Sequence, residues 1–353
     1  MDELRREEYR KILTLWNIFQ TYDYFFVKTI VSEYTDDNPI FWDNFVKLIF
    51  DRGICCEILA QELKTEVEYT LNETQLFRTN KGCTYVAAAL SRKLTEELLL
   101  EYINPFLEEM NQLKEPLEID TSKTTPEKSA ENIQKVIELV TKLFETVKQF
   151  CSKLPNELTY IFTKAREAVR EKYGDEEALK IVGSFVFLRL INPVLLTPAK
   201  FSTKLIKLSP TSVRSMIIIT KITQVCVNQP LVPFKEEYMK PITEFALSKY
   251  AYVTELLKEV SINTINPQQA LTTQIKPSLL KETGLLLIQQ FNIFAHNQAE
   301  KFGNFCEIIK RRQHIWLLQQ FLQLIDPSGK TNEKMDMEIN KYDGIILDRN
   351  DDV

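Results

Sequence analysis

Apolar residues recur at intervals of three and four along most of this chain. From Ile133 they run through Val136, Ile137, Val140, Leu143, Phe144, Val147 and Phe150, a single stripe over about five helical turns. Ser129, with Asn132 three residues on and Pro126 just before it, marks the expected start of that helix. Leu13, Leu15, Trp16 and Phe19, then Phe26, Val27 and Ile30, make a similar stripe that Asp36-Asp37-Asn38-Pro39 should stop. Further breaks are expected at Asp51-Arg52-Gly53, Asn72-Glu73-Thr74, Glu115 to Pro126, Tyr173-Gly174-Asp175, Leu208 to Thr211, Gln229 to Pro233 and Asn263 to Pro267. The segments between them have helical length and are rich in strong helix formers. No alternating run is bounded by hairpin dipeptides. The pattern predicts an all-α protein. No internal repeat or low-complexity linker interrupts it, and the polar, acidic tail beyond Asp326-Pro327-Ser328-Gly329 should be loosely held.

Composition narrows the chemistry. Eight glycines in 353 residues are few, and neither G-x-G-x-x-G nor a phosphate-binding G-x-x-x-x-G-K-[ST] occurs, which excludes dinucleotide-fold and P-loop enzymes. Two histidines, His296 and His314, cannot build a multi-histidine metal cage, so no metal site is expected. The six cysteines include no C-x-x-C and read as reduced, buried thiols of a cytoplasmic protein. Cys55, Cys56 and Cys226 have no histidine base near them in sequence and are expected in the core. No uninterrupted apolar run approaches the roughly 18 residues needed to span a bilayer, and neither end carries a lipidation motif. The expectation is a soluble protein with no membrane anchor of its own.

Charge matters locally. The chain carries a net −5, yet between Ala199 and Lys240 it places Lys200, Lys204, Lys207, Arg214, Lys221, Lys235 and Lys240 against only Glu236 and Glu237. A basic stretch on an acidic protein suggests an anionic partner on one side. Nucleic acid is disfavoured, because no aromatics interleave with the basic residues as a stacking platform. Lys310-Arg311-Arg312 reads as a solvated helix end.

The segment Phe187-Leu188-Arg189-Leu190-Ile191-Asn192-Pro193-Val194-Leu195-Leu196-Thr197-Pro198 is physically odd. An otherwise apolar helix carries one arginine and then meets Asn-Pro, where it must bend or end. An arginine in such company needs its five donors satisfied, and carbonyls freed in a nearby loop are the obvious acceptors.

The pattern F-L-R-x-x-x-P-x-x-x-x-P in that segment resembles the signature of Ras GTPase-activating proteins, the RasGAP family. Leu76-Phe77-Arg78-Thr79-Asn80 resembles the family's finger loop, L-F-R-x-N. Lys221, Gln224 and Asn228 resemble its K-x-x-Q-x-x-x-N helix, and Phe234-Lys235-Glu236-Glu237-Tyr238-Met239 resembles its F-x-K-E-x-x-M run. Order and spacing also agree, and the resemblance covers roughly Asn38 to Ser261. Val194 departs from the family's usual alanine, and Lys81-Gly82-Cys83 departs from its usual opening of the helix after the finger, which bears on the stiffness of that loop.

The resemblance implies a helical domain with a central catalytic bundle over residues 41–261, flanking helices over 1–40 and 262–326, and a polar tail over 327–353. It implies a GTPase activator, not an enzyme with its own substrate, that binds GTP-loaded Ras-family GTPases and down-regulates Ras signalling. By resemblance Arg78 is the arginine finger and Arg189 stabilises its loop. Phe77, Thr79, Asn80, Thr197, Lys221, Gln224, Asn228 and Lys235 are assigned to GTPase binding, with Phe77 also packing the loop's base and Asn80 capping the next helix. Phe187, Leu188, Asn192, Pro193 and Pro198 form the structural motif. No cofactor of its own is expected, since GTP and Mg²⁺ belong to the partner. Membrane contact would be indirect, through a lipidated GTPase at the inner face of the plasma membrane. Two alternatives remain: a scaffold that holds the active GTPase without stimulating it, and an activator preferring Rap-type GTPases.

Overall fold

The structure, a computed structural model, describes residues 3–77, 82–228, 234, 236–263, 265, 267 and 277–327. Every regular element among the described residues is helical, so the all-α expectation holds. In chain order the α-helices are α1 (Glu3–Glu33, kinked by non-helical backbone at Thr21, Tyr22, Asp23 and Tyr24), α2 (Pro39–Asp51), α3 (Cys55–Tyr69), α4 (Gly82–Leu98), α5 (Asn104–Asn111), α6 (Pro126–Cys151), α7 (Asn156–Tyr173), α8 (Asp175–Gly183) and α9 (Asn192–Leu196). There follow α10 (Pro210–Asn228), α11 (Thr243–Ser248), α12 (Tyr250–Val260), α13 (Pro277–Asn297), α14 (Ala299–Arg311) and α15 (Ile315–Ile325). Two stretches of wider, π-helical turn, Leu99–Ile103 and Ser184–Ile191, link α4 to α5 and α8 to α9.

The chain forms two compact units. One comprises Met1–Glu62, Phe77–Ala89 and Leu271–Val353; the other comprises Leu63–Leu76 and Leu90–Ala270. This cuts across the division expected from sequence, because both terminal flanks and the beginning of the expected core share one unit. The reason is aromatic packing. Tyr34 at the end of α1 meets Phe41 of α2 at 4.6 Å and Phe294 of α13 at 4.7 Å, and Phe291 meets Phe41 and Phe321 at 4.9 Å each. Such rings bury large areas and prefer these tilted and edge-on geometries, so they draw distant segments together. The helix stop expected near Asp36–Pro39 is built as Asn38 capping α2: its Oδ1 accepts from the Ile40 N–H at 3.0 Å, and Pro39 opens the helix.

In the other unit α6 carries the stripe read from sequence, with Val136, Val140, Leu143, Phe144, Val147 and Phe150 all buried. Its start differs from expectation. Thr125, not Ser129, is the cap, accepting from the Lys128 N–H at 3.2 Å, and Pro126 is the first helical residue. Ser129 and Asn132 are buried inside the helix and hold the preceding segment, donating to the carbonyls of Ile119 and Glu118 at 2.8 Å each. The 22-residue helical run Asp175–Leu196 is long and apolar enough to cross a membrane by length and composition, contrary to the reading of uninterrupted runs; two thirds of its most apolar window is buried, where it packs against α7, α10 and α12. Lys180 and Arg189 interrupt the run in sequence without interrupting the helical stretch.

All six cysteines are buried. Burial pushes the thiols of Cys151 and Cys226 up to about 12, far from the range in which a thiolate could attack or bind metal.

Candidate functional site

The approach to residue 78 is built in short steps. After α3 ends at Tyr69, Thr70 Oγ1 bonds back to the Glu66 carbonyl at 2.7 Å, and a tight turn over Glu73–Gln75 closes with the Gln75 N–H on the Asn72 carbonyl at 3.0 Å. Leu76 and Phe77 then turn inward and are 2% and 1% exposed. Phe77 sits at φ 53°, a left-handed conformation that costs an aromatic residue about 1–3 kcal/mol and persists only where the surroundings enforce it. Its buried side chain therefore packs the base of the loop, the second of the two roles expected for it. Arg78, Thr79 and Asn80 lie outside the described residues, as does Lys235.

The loop's far end is fixed as tightly. A Cβ on Gly82 would fall 2.5 Å and 2.6 Å from the carbonyl oxygens of Ile30 and Val31, so only glycine lets α4 begin against the backbone of α1. Of the departure noted in sequence, the described part is tightly packed: Gly82 abuts backbone and Cys83 is buried behind it. Phe77, with its left-handed φ, and Gly82, which admits no side chain, stand on either side of residues 78–81 in sequence.

The second group of candidate residues lies on the wide turn and on α10. Pro193 has no N–H and would crowd the carbonyl four residues back, and the chain answers by widening its turns: the Asn192 N–H reaches Phe187, five residues earlier. Asn192 is buried, accepting from Thr223 Oγ1 at 3.0 Å and donating to Gln224 Oε1 at 3.3 Å. Gln224 passes the contact on, donating to Asn228 Oδ1 at 2.7 Å. Three polar residues assigned by resemblance to motif and groove thus form one hydrogen-bonded line from the signature to the outer edge of α10. Phe187 and Pro198 are buried, as a structural motif requires, but Leu188 is 41% exposed. Helical periodicity of 3.6 gave no sign of this exposure, because the wide turn resets the faces.

Arg189 is half-buried. Its Nη1 donates to Ser184 Oγ at 2.6 Å, and its guanidinium lies 5.3 Å from the centre of the Phe185 ring. Serine and phenylalanine one turn earlier thus hold the fork in one orientation. Lys221 on α10 is exposed and pairs with Glu236 at 2.7 Å, a hydrogen bond that raises its pKa. Thr197 is also exposed, its hydroxyl bonded to the Pro193 carbonyl at 3.0 Å.

The basic stretch read from sequence is neutralised in part, by acids from elsewhere at Lys204 and Arg214 and by its own two glutamates at Lys221 and Lys240. Lys204 pairs with Glu96 and Glu97, Lys240 with Glu237, and Arg214 makes a two-pronged contact with Glu118 at 2.9 and 3.0 Å. Lys200 and Lys207 remain exposed. A window count cannot see partners that folding brings from a hundred residues away. Among the described residues no group of histidine, cysteine and carboxylate side chains could hold a metal ion.

Comparison with known proteins agrees with these motifs. Residues 28–228, more than half of the chain, match the family model RasGAP, "GTPase-activator protein for Ras-like GTPase". The chain is 23% identical over 237 residues to a probable Ras GTPase-activating-like protein, ngap, of Dictyostelium discoideum, covering 66% of this chain and 27% of that protein. It is 29% identical over 172 residues to the inhibitory regulator protein IRA2 of Saccharomyces cerevisiae, covering 48% and 6%, and 24% identical over 227 residues to human Ras GTPase-activating protein 1, covering 60% and 22%. The chain thus spans under a third of the length of these relatives. With the finger-loop motif, the signature on its wide turn and the α10 motif all inside the matched region, the chain belongs to the RasGAP family of GTPase-activator proteins for Ras-like GTPases.

Proposed function

We propose that this chain binds a Ras-family GTPase in its GTP state and inserts Arg78 into the partner's nucleotide site to accelerate hydrolysis. The observation that carries the reading is the packing on either side of the motif arginine: Phe77 is buried in a left-handed conformation, and Gly82 lies against the backbone of α1. GTP hydrolysis develops negative charge on the γ-phosphoryl oxygens and the β–γ bridge, and its catalysis is mainly positioning and electrostatics. A guanidinium delivered there excludes water and offers paired donors in a fixed fork, which an ammonium cannot copy. For Ras with its activator such a finger is worth roughly 10³–10⁵ in rate, about 4–7 kcal/mol of barrier. The chain would act in trans and bring no cofactor, GTP and Mg²⁺ being held by the partner. Arg189 would steady the finger loop, while Leu188, Thr197 and the α10 face of Lys221, Gln224 and Asn228 would receive the GTPase. In a cell the site of action would be the cytoplasm, at membranes carrying the lipidated partner.

Single-turnover GTP hydrolysis across Ras-, Rap- and Rho-type GTPases tests this. Strong acceleration of at least one Ras-family member is expected. Tight binding to the GTP form with no acceleration would replace the activator with a scaffold. Lys221→Glu should raise the half-saturating activator concentration several-fold while leaving the saturating rate near wild type, as expected of an encounter contact.

A further inference from the structure

The last turn of α7 holds the end of α3, and so the start of the loop that leads to Arg78. Lys172 Nζ donates to the backbone carbonyls of Val67 and Glu68 at 2.8 Å each and of Thr70 at 2.7 Å. Tyr173 adds its hydroxyl to the same Thr70 carbonyl. An ammonium has three N–H donors, and here all three converge on main-chain oxygens. These are oxygens that the end of a helix leaves over: Glu66 receives the Thr70 N–H at 3.0 Å, whereas Val67 and Glu68 belong to the final turn, where carbonyls lack helical partners. A positive charge placed there also meets the negative end of the α3 dipole. Gly174 at φ 91° ends α7 directly after the pair, so Lys172 and Tyr173 occupy the last turn the helix has to offer.

An ordinary surface lysine pairs with a carboxylate and loses little when it lets go. The hydrogen bonds of this one go to backbone, with the Tyr173 ring 5.2 Å from its ammonium, and the backbone it holds lies eight to eleven residues before Arg78. Beyond Thr70 the chain has one tight turn and the strained Phe77 before the arginine. Displacing Thr70 therefore displaces the loop's entry, and an error near 1 Å at a reacting centre can cost 10² in rate.

We infer that Lys172, supported by Tyr173, is a positioning residue that sets the reach of Arg78 by clamping the C-terminus of α3. The inference rests on Arg78 being the finger. It assigns no contact between Lys172 and GTP or GTPase.

The test compares two affinities for a Ras-family GTPase that the wild type activates. One is for the GTPase bound to a GTP analogue. The other is for its GDP–aluminium fluoride form, which mimics the transferring phosphoryl group and draws on the finger. Lys172→Met keeps the length of the side chain and removes its donors. It should weaken the aluminium fluoride complex and slow saturating single-turnover hydrolysis by about tenfold, with affinity for the GTP-analogue complex within twofold of wild type. Hydrogen exchange at the Thr70, Gln75 and Leu76 amides should quicken. Tyr173→Phe, which deletes one hydroxyl, should show the same pattern at a few-fold. A merely structural role would lower both affinities together with the melting temperature, and that result overturns the inference, as does a Lys172→Met protein with wild-type rate. Arg78→Ala, run alongside, separates the two readings. Loss in Arg78→Ala with none in Lys172→Met removes the clamp alone, whereas wild-type rate in Arg78→Ala removes the finger and the clamp with it.

Discussion

Two stretches of this chain solve the same backbone problem and are put to different uses. Leu99-Leu100-Glu101-Tyr102-Ile103 and Ser184–Ile191 each widen into π-helical turns and each run into Ile-Asn-Pro, at residues 103–105 and 191–193. In both, the asparagine N–H reaches five residues back, to Leu99 and to Phe187, and the proline opens the next α-helix. Proline's missing donor and its clash with the turn behind it account for the wide turn in each. The difference lies in what surrounds the turn. Asn104 accepts from the Ile206 N–H at 2.9 Å and donates to Glu108 at 2.7 Å, tying down a connecting segment. Asn192 instead joins Thr223 and Gln224 on α10. Two residues before each isoleucine, the first stretch has exposed Glu101 and the second half-buried Arg189 against Ser184 and Phe185. The wide turn is therefore a packing device. Function enters with the residues it carries and with the helix its asparagine grips.

Exchanging the distinctive residue is the severest test. Arg189→Glu, which installs the residue of the sister turn, should lower the saturating stimulated rate by about 100-fold through a misplaced finger loop and also lower the melting temperature, whereas Glu101→Ala should leave the rate within twofold. Equal effects at the two positions would erase the distinction. Next come the asparagines. A buried hydrogen-bonding group lost costs about 1–3 kcal/mol, so Asn192→Ala should shift the denaturant midpoint, and Asn104→Ala, at a half-buried position, should shift it less. Only Asn192→Ala should also slow stimulated hydrolysis, because only it releases the α10 line to Gln224 and Asn228. Smallest is the exposed leucine: Leu188→Ala should raise the half-saturating concentration roughly 3- to 10-fold, as expected for an apolar contact worth about 1 kcal/mol. Leu100→Ala, at the matching position, should not change it.

The helices were legible because burial imposes period: the α6 stripe and the stops at Asp36–Pro39, Gly53 and Gly174 are where spacing and turn chemistry put them. Ser129 misled because a buried serine that bonds to the Ile119 carbonyl looks, in sequence, like a serine that caps. The two-unit division was not legible, since it depends on which aromatic faces meet, and that is a long-range choice. The motif residues were legible by resemblance. What escaped was everything that acts through the main chain. Lys172 bonds to carbonyls, Gly82 matters because carbonyls lie where its side chain would be, and Phe77 matters for its φ. Backbone atoms are the same at every position, so no residue pattern advertises them as partners. The basic stretch misled for a related reason, since Glu96, Glu97 and Glu118 reach it only after folding.

In the proposed mechanism a single guanidinium at residue 78 completes the partner's reaction centre. The direct measurement is single-turnover GTP hydrolysis by one responsive Ras-family GTPase at saturating concentrations of wild type, Arg78→Ala and Arg78→Lys. The expected result is a loss of at least about 10³ in stimulated rate for alanine and nearly as much for lysine, whose point charge lacks the planar fork, with binding to the GTP form retained. An Arg78→Ala protein that accelerates hydrolysis as well as wild type would contradict it.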